Sequence, residues 1–308
     1  MLRRWKPLYW LYNLFRPRAL AHNEEPYRKL ELRKMYFSSV SSRDFIGKDP
    51  GALASSELPP PVTETAYYRN ADATTRASLD AYAAQGYCVL RRYLDGDTVD
   101  RMNEAIADLL ERGDIDFTYR TKLMFAVRKS PQLAAPFQDP QWAGLLDSLI
   151  GGRARLFQSI NFLTGSQQRT HSDSIHMTTF PLGGLLGVWI ALEDIDPASG
   201  PLHYYPGSHH LPYLLNRDYG NEGGTLTIGD KAYREYEDLV AQKLSATDFA
   251  KEIFLPQKGD VLIWHANLLH GGEPVTDPRK SRRSMVLHYF DDTRVCYHEI
   301  TQRPALFA

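Results

Sequence analysis

Thr170-His171-Ser172-Asp173, Gly187-Val188-Trp189-Ile190-Ala191-Leu192, Pro206-Gly207-Ser208-His209 and Leu269-His270-Gly271 are the segments on which the reading of this chain turns. A His and an Asp two residues apart on a strand point the same way, because strand side chains alternate. Joined by a histidine from a later strand, they present three ligands on one face of a metal and leave the opposite face open. By spacing alone a His-x-Asp pair is weak evidence, and with ten histidines in the chain the third ligand is open between His270 and His265.

Outward from that stretch the residue periodicity is that of strands. Leu156, Phe157, Ile160 and Phe162 suggest one, and Gly187 to Leu192, Pro201 to Tyr205, Val261 to His265 and Met285 to Phe290 suggest others. Short strands between Gly/Pro turns indicate a β-sandwich or barrel. Upstream the period is helical. Asp72 to Gln85 ends at Gly86; a second helix is capped by Asp97, carries Val99, Met102, Ile106, Leu109 and Leu110, and closes at Gly113; a third covers Pro140 to Leu149. Helices followed by strands predict a mainly β fold with packed helices, a double-stranded β-helix or jelly roll. A polar insertion over 216–254, with a helix at Ala232 to Leu244, has the length of a lid or binding loop.

Residues 1–71 read as an arm and a lead-in, and 72–308 as the jelly-roll domain. The lead-in, 21–62, is polar and interrupted by Pro59-Pro60-Pro61, which argues loop or extended chain. The first 20 residues carry Arg3, Arg4, Lys6, Arg16 and Arg18 without an acidic residue, among Trp5, Tyr9, Trp10, Tyr12 and Phe15. Their apolar run is too short to span a bilayer and no signal-peptide cleavage site follows it. The arm either packs its aromatics on the domain or touches a membrane surface peripherally. Net charge is −1, and no Lys/Arg-rich block accompanies a nucleic-acid-reading motif, so no nucleic-acid partner is expected. Cys88 and Cys296 support no disulfide framework and suggest reduced, buried thiols in a cytoplasmic protein.

The order His171-x-Asp173, Trp189-Ile190-Ala191-Leu192, Gly200-Pro201-Leu202, Pro206-Gly207-Ser208-His209, Gly259-Asp260, His270-Gly271 and Arg282-Arg283 resembles the phytanoyl-CoA dioxygenase family, over roughly Asp72 to Ile300. The resemblance implies Fe(II) held by His171, Asp173 and His270, with 2-oxoglutarate and O2 as co-substrates. It implies an arginine for the distal carboxylate of 2-oxoglutarate on the last core strand, where Arg282 and Arg283 both qualify and strand alternation, aligned on Phe290, is taken to favour Arg283. It also suggests Trp189, Gln158, Asn161 and Lys122 as co-substrate contacts, each of which core or surface roles would equally explain.

The activity implied is hydroxylation of an unactivated C–H bond in a small or lipid-linked metabolite. Desaturation or cyclisation on the same fold, or a silent jelly-roll binding protein, are the alternatives. Halogenation is disfavoured by the presence of Asp173. A zinc hydrolase is disfavoured because no general-base carboxylate stands near the ligands. Pro206-Gly207-Ser208-His209 needs only a turn, which leaves His203, His209 and His210 as turn or supporting residues.

Overall fold

The computed structural model describes residues 4–54, 57–119 and 121–307. Its strands are β1 (Tyr87–Leu90), β2 (Phe117–Thr118), β3 (Lys122–Met124), β4 (Ala154–Phe162), β5 (Thr178–Phe180), β6 (Leu185–Ala191), β7 (Leu202–Tyr204), β8 (Glu252–Phe254), β9 (Val261–His265), β10 (His270–Gly272), β11 (Ser284–Asp291), β12 (Val295–His298) and β13 (Arg303–Pro304). They form a seven-stranded sheet, β1-β9-β6-β11-β4-β3-β2, and two three-stranded sheets, β10-β7-β8 and β13-β12-β5. Every pairing is antiparallel.

The large sheet is covered on both faces, so β6 and β11 are buried along their whole length. Alternation divides their side chains between two cores. Val188, Ile190, Val261, Ile263, Met285 and Leu287 face the helices Gly96–Glu111 and Pro140–Ile150, packing with Met102, Ile106, Leu109, Trp142 and Leu145. Trp189, Leu262, Trp264 and Val286 point the other way, toward Leu202, Tyr204 and Phe254 of the small sheet. This is the jelly-roll sandwich expected, and the site lies in the inner layer.

Three local expectations change. The first predicted helix is two, Ala73–Asp80 and Tyr82–Gln85, ending at Gly86 with φ +78°. The second is capped by Asp95 rather than Asp97: the Asp95 carboxylate accepts from Thr98 N and Thr98 Oγ1 at 2.8 Å each, and Asp97 falls in the first turn. The lead-in is packed, not loose. It forms the helix Glu24–Lys29 and 3-10 turns, and buries Tyr27, Leu30, Val40, Phe45 and Leu53 against Val295 and Tyr297. Apolar residues scattered between turns leave no period to read, yet they share a core with β12.

Cys88 and Cys296 are free and buried, and burial pushes both thiols up. Native protein is therefore expected to leave both unreacted with a thiol-specific dye, and unfolded protein to react at both. A fast-reacting thiol in the native state would contradict the packing.

Candidate metal centre and co-substrate pocket

His171 and His270 sit opposite one another in an isolated antiparallel bridge, each backbone N–H donating to the other's carbonyl at 2.9 Å. Each ring is oriented in the same way. Nδ1 of His171 donates to Arg169 O and Nδ1 of His270 to Leu268 O, both at 2.9 Å. That tautomer puts a lone pair on each Nε2, the atom that would face a metal. His171 Nε2 accepts from the Gln168 side-chain amide at 3.1 Å.

Asp173 is not on a strand, which corrects the alternation argument. It opens the 3-10 turn Asp173–Ile175 directly after the bridge, and the turn brings its carboxylate back beside His171. Oδ1 lies 3.7 Å from His270 Nε2 and 4.0 Å from His171 Nε2. Oδ2 accepts from Trp264 Nε1 at 2.8 Å and lies 3.6 Å from His288 Nε2. One oxygen is thus held by the protein and the other aimed at the histidines. Burial alone would raise the Asp173 carboxyl, but His270 and the nearby His288 outweigh it and hold the group well below the usual carboxylate range. Burial, then His270, lowers His171, keeping it neutral. The three ligand atoms lie within 4.8 Å of one another. Two imidazoles and an ionised carboxylate on one face fit ferrous iron.

The supports explain parts of the sequence that carry no chemistry. Gly187 stands opposite Trp264 in the β6–β9 register, and a Cβ there would overlap the indole that holds Asp173. Gly207, at φ +80°, makes the turn that sets the Ser208 hydroxyl to accept from Leu269 N at 2.9 Å, next to His270. Asn267 fastens the same turn by donating to His209 O and Leu211 O. From the insertion, the helix Tyr233–Leu244 supplies Tyr236, whose hydroxyl accepts from Ser172 N at 3.1 Å, and Tyr233, whose hydroxyl lies 3.0 Å from His176 Nε2. Trp264→Phe should weaken Fe(II) binding about tenfold, the lower end for a lost ligand support, and an anaerobic Fe(II) titration reads it. Unchanged affinity would remove Trp264 from this role.

These ligands open into a cavity of about 760 Å³, lined also by Lys122, Gln158, Ile160, Phe162, Trp189 and Arg282. Gln158, Lys122 and Trp189 line the same cavity as the ligands, and Lys122 Nζ donates to Gln168 Oε1 at 3.2 Å. Two proposed contacts do not. Arg283 turns outward, half-exposed, with its Nε 4.0 Å from Glu193 Oε2. Arg282 points inward instead. Along β11 the residues Ser284, Val286 and His288 share its side of the sheet, so alignment on Phe290 selects 282 and not 283. Asn161 pairs with Met285 and Leu123, both in the helix-side core, and so faces away from Gln158 and the cavity.

The Arg282 guanidinium is buried, with Nη1 donating to Ser284 Oγ at 2.8 Å and its face 5.1 Å from the Phe162 ring. Its Nε has no partner, and no carboxylate comes within ion-pair reach among the described residues. Burial draws its pKa down to about 10, so it remains a cation at neutral pH. The rival ligand His265 lies outside the cluster, its Nδ1 accepting from Asn267 N at 3.2 Å and its ring against His209.

The sequence profile of the phytanoyl-CoA dioxygenase (PhyH) family matches residues 82–284, well over half the chain. The chain belongs to that family. Among curated relatives, phytanoyl-CoA dioxygenase domain-containing protein 1 of Danio rerio is 30% identical over 109 residues, 34% of this chain and 33% of the relative. The Bos taurus protein of that name is 27% identical over 133 residues, 41% of this chain and 40% of the relative. The chain thus spans a third to two fifths of these relatives' length. Ectoine dioxygenase of Stutzerimonas stutzeri is 27% identical over 60% of this chain and 64% of its own. Of solved structures, the non-heme alpha ketoglutarate dependent carbocyclase SnoK has TM-score 0.59 at 21% identity, covering 78% of this chain and 90% of that one. EctD from S. alaskensis, with 2-oxoglutarate and 5-hydroxyectoine, has TM-score 0.56 at 21% identity, covering 80% and 87%. At these identities the structures speak to the PhyH fold alone.

Trp264, Gln168, His288 and Tyr236 of this PhyH site escaped the sequence reading. His288 was hidden by the choice of Arg283, since alternation from Arg282 leads to it. Tyr236 carried no signal, because its contact with Ser172 joins an insertion to the body.

Proposed function

We propose that the chain is an Fe(II)- and 2-oxoglutarate-dependent dioxygenase that hydroxylates an unactivated C–H bond of a small or lipid-linked molecule. The observation that carries this reading is Arg282: a buried cation without a carboxylate partner among the described residues, in the same cavity as a two-histidine, one-carboxylate cluster. His171, Asp173 and His270 would hold the iron. Arg282 and the Ser284 hydroxyl would take the distal carboxylate of 2-oxoglutarate, with Trp189 and Phe162 beside it and Gln158 and Lys122 on the adjoining strands. Bound there, iron and 2-oxoglutarate supply O2 activation coupled to oxidative decarboxylation to succinate and CO2.

The protein's own part is positional. Trp264 and the two backbone carbonyls hold the ligands in one orientation, while Ile160, Phe162, Leu202 and Val286 keep the cavity apolar and limit water. A cavity of about 760 Å³ suits a small-molecule substrate, for which sites run about 300–1,000 Å³. Ferrous iron and unpaired thiols favour a reducing, cytoplasmic setting. No described helix is long and apolar enough to cross a membrane.

A screen for substrate-stimulated succinate release tests the reading. Product masses gaining one oxygen support hydroxylation; loss of two hydrogens would assign desaturation or ring closure. Absence of succinate release with every substrate class, despite bound Fe(II) and 2-oxoglutarate, would favour a silent binding protein.

A further inference from the structure

The N-terminal helix Lys6–Leu14 is mounted with its polar side inward. Asn13 is buried and donates to Phe37 O at 3.0 Å; Lys6 Nζ donates to Gly224 O at 2.8 Å; Tyr9 lies under the Arg303 guanidinium at 3.2 Å. The opposite side carries Leu8, Leu11, Tyr12 and Phe15, spaced as one helical stripe, and all are exposed, Phe15 to 77%. Trp5 is exposed beside it, as is Leu226, whose carbonyl accepts from Lys6 N. Water would select the reverse orientation, so a stripe held outward by specific inward hydrogen bonds marks a surface meant to be covered.

Along the segment itself charge has one sign, although in space Arg4 is paired with Asp230 at 3.4 Å, which leaves Arg16 and Arg18 as the cations that matter most. Arg4, Lys6, Arg16 and Arg18 fall within residues 4–20, where no acidic residue occurs, and Arg16 stacks on the exposed Tyr12 ring at 4.3 Å. Arg3, which the sequence reading counted with them, lies outside the described residues. A second copy of this chain is a poor occupant, since a two-fold contact would set these cations against themselves. An anionic phospholipid surface answers both features: acyl chains take the apolar stripe and headgroups take the arginines.

The stripe also adjoins the mouth of the iron cavity. Tyr9 of the helix lies under the Arg303 guanidinium, Thr301 two residues before Arg303 lines the cavity, and so does the exposed Tyr119. We infer that the N-terminal helix seats the protein on an anionic bilayer with the cavity mouth at the interface, so that the substrate is an amphiphile drawn from the membrane. The inference rests on the proposed function only for the nature of the cavity.

Co-sedimentation of the full chain with phosphatidylcholine vesicles, with and without phosphatidylserine, tests the docking without using activity. Binding is expected to the serine-containing vesicles, about tenfold weaker to phosphatidylcholine alone or in high salt, and lost in Leu11→Glu/Phe15→Glu. Both positions are exposed, so the double variant should fold and bind Fe(II) as wild type does. Failure of wild type to bind, or equal binding by the variant, overturns the proposal. So does a dimer in sedimentation velocity that the variant dissociates, which would give the stripe to a second copy. Failure of the dioxygenase reading shows separately, as absent succinate release with docking intact.

Discussion

Asp173→Ala should abolish succinate release and lower Fe(II) affinity more than about 100-fold, beyond the range for a lost ligand support. Asp173 is the single anion of the cluster, and its two oxygens divide the work. Oδ1 faces the histidines, while Oδ2 is tied to Trp264 and approached by His288. Removal takes away a ligand and also releases the indole and His288 into the cavity. Asp173→Asn separates charge from shape: it keeps the volume but offers a neutral oxygen, so its affinity should fall between the two. Anaerobic titration with Fe(II) measures all three proteins, with circular dichroism as the check on folding. If Asp173→Ala bound iron like wild type, the cluster would not be the metal centre.

Arg282→Leu should raise the KM for 2-oxoglutarate about 10- to 100-fold, as expected for one or two hydrogen bonds between charged groups. Arg283→Ala, by contrast, should stay within about twofold, because exposed ion pairs such as that with Glu193 contribute little. Fe(II) affinity should be unchanged in both. Thermal stability adds a sign to the prediction. A buried guanidinium without an anion costs desolvation, so substitution by an apolar side chain should leave Arg282→Leu at least as stable as wild type without 2-oxoglutarate. Equal 2-oxoglutarate KM values for the two variants would refute the role given to Arg282.

The fold was legible because its core strands are short, apolar and bounded by Gly and Pro, and because the helices before them keep clear periods. The ligand set was legible from sequence order and resemblance, although the local reason differed: a 3-10 turn, not a strand, aims Asp173. What escaped depends on contacts between distant segments. Tyr236 reaches Ser172 across 64 positions, and the lead-in joins β12 across more than two hundred, so no local pattern reports either. The choices of Arg283 and Asn161 failed for a simpler reason. Each error lies in strand parity, and a slip of one residue moves a side chain to the opposite face. The strand registers settle both: Val286 opposite Trp189 and Met285 opposite Asn161 put Val286 and His288 in the cavity and Met285 and Leu287 under the helices.

The central claim is that one cavity holds iron and a keto diacid together. Anaerobic titration of the Fe(II)-loaded protein with 2-oxoglutarate tests it most directly, through the visible charge-transfer absorption of a keto acid chelated to ferrous iron. Wild type and Arg283→Ala should develop that band at similar 2-oxoglutarate concentrations, Arg282→Leu only at about 10- to 100-fold higher ones, and His171→Ala not at all. No band in wild type, or one that persists unchanged in His171→Ala, would contradict it.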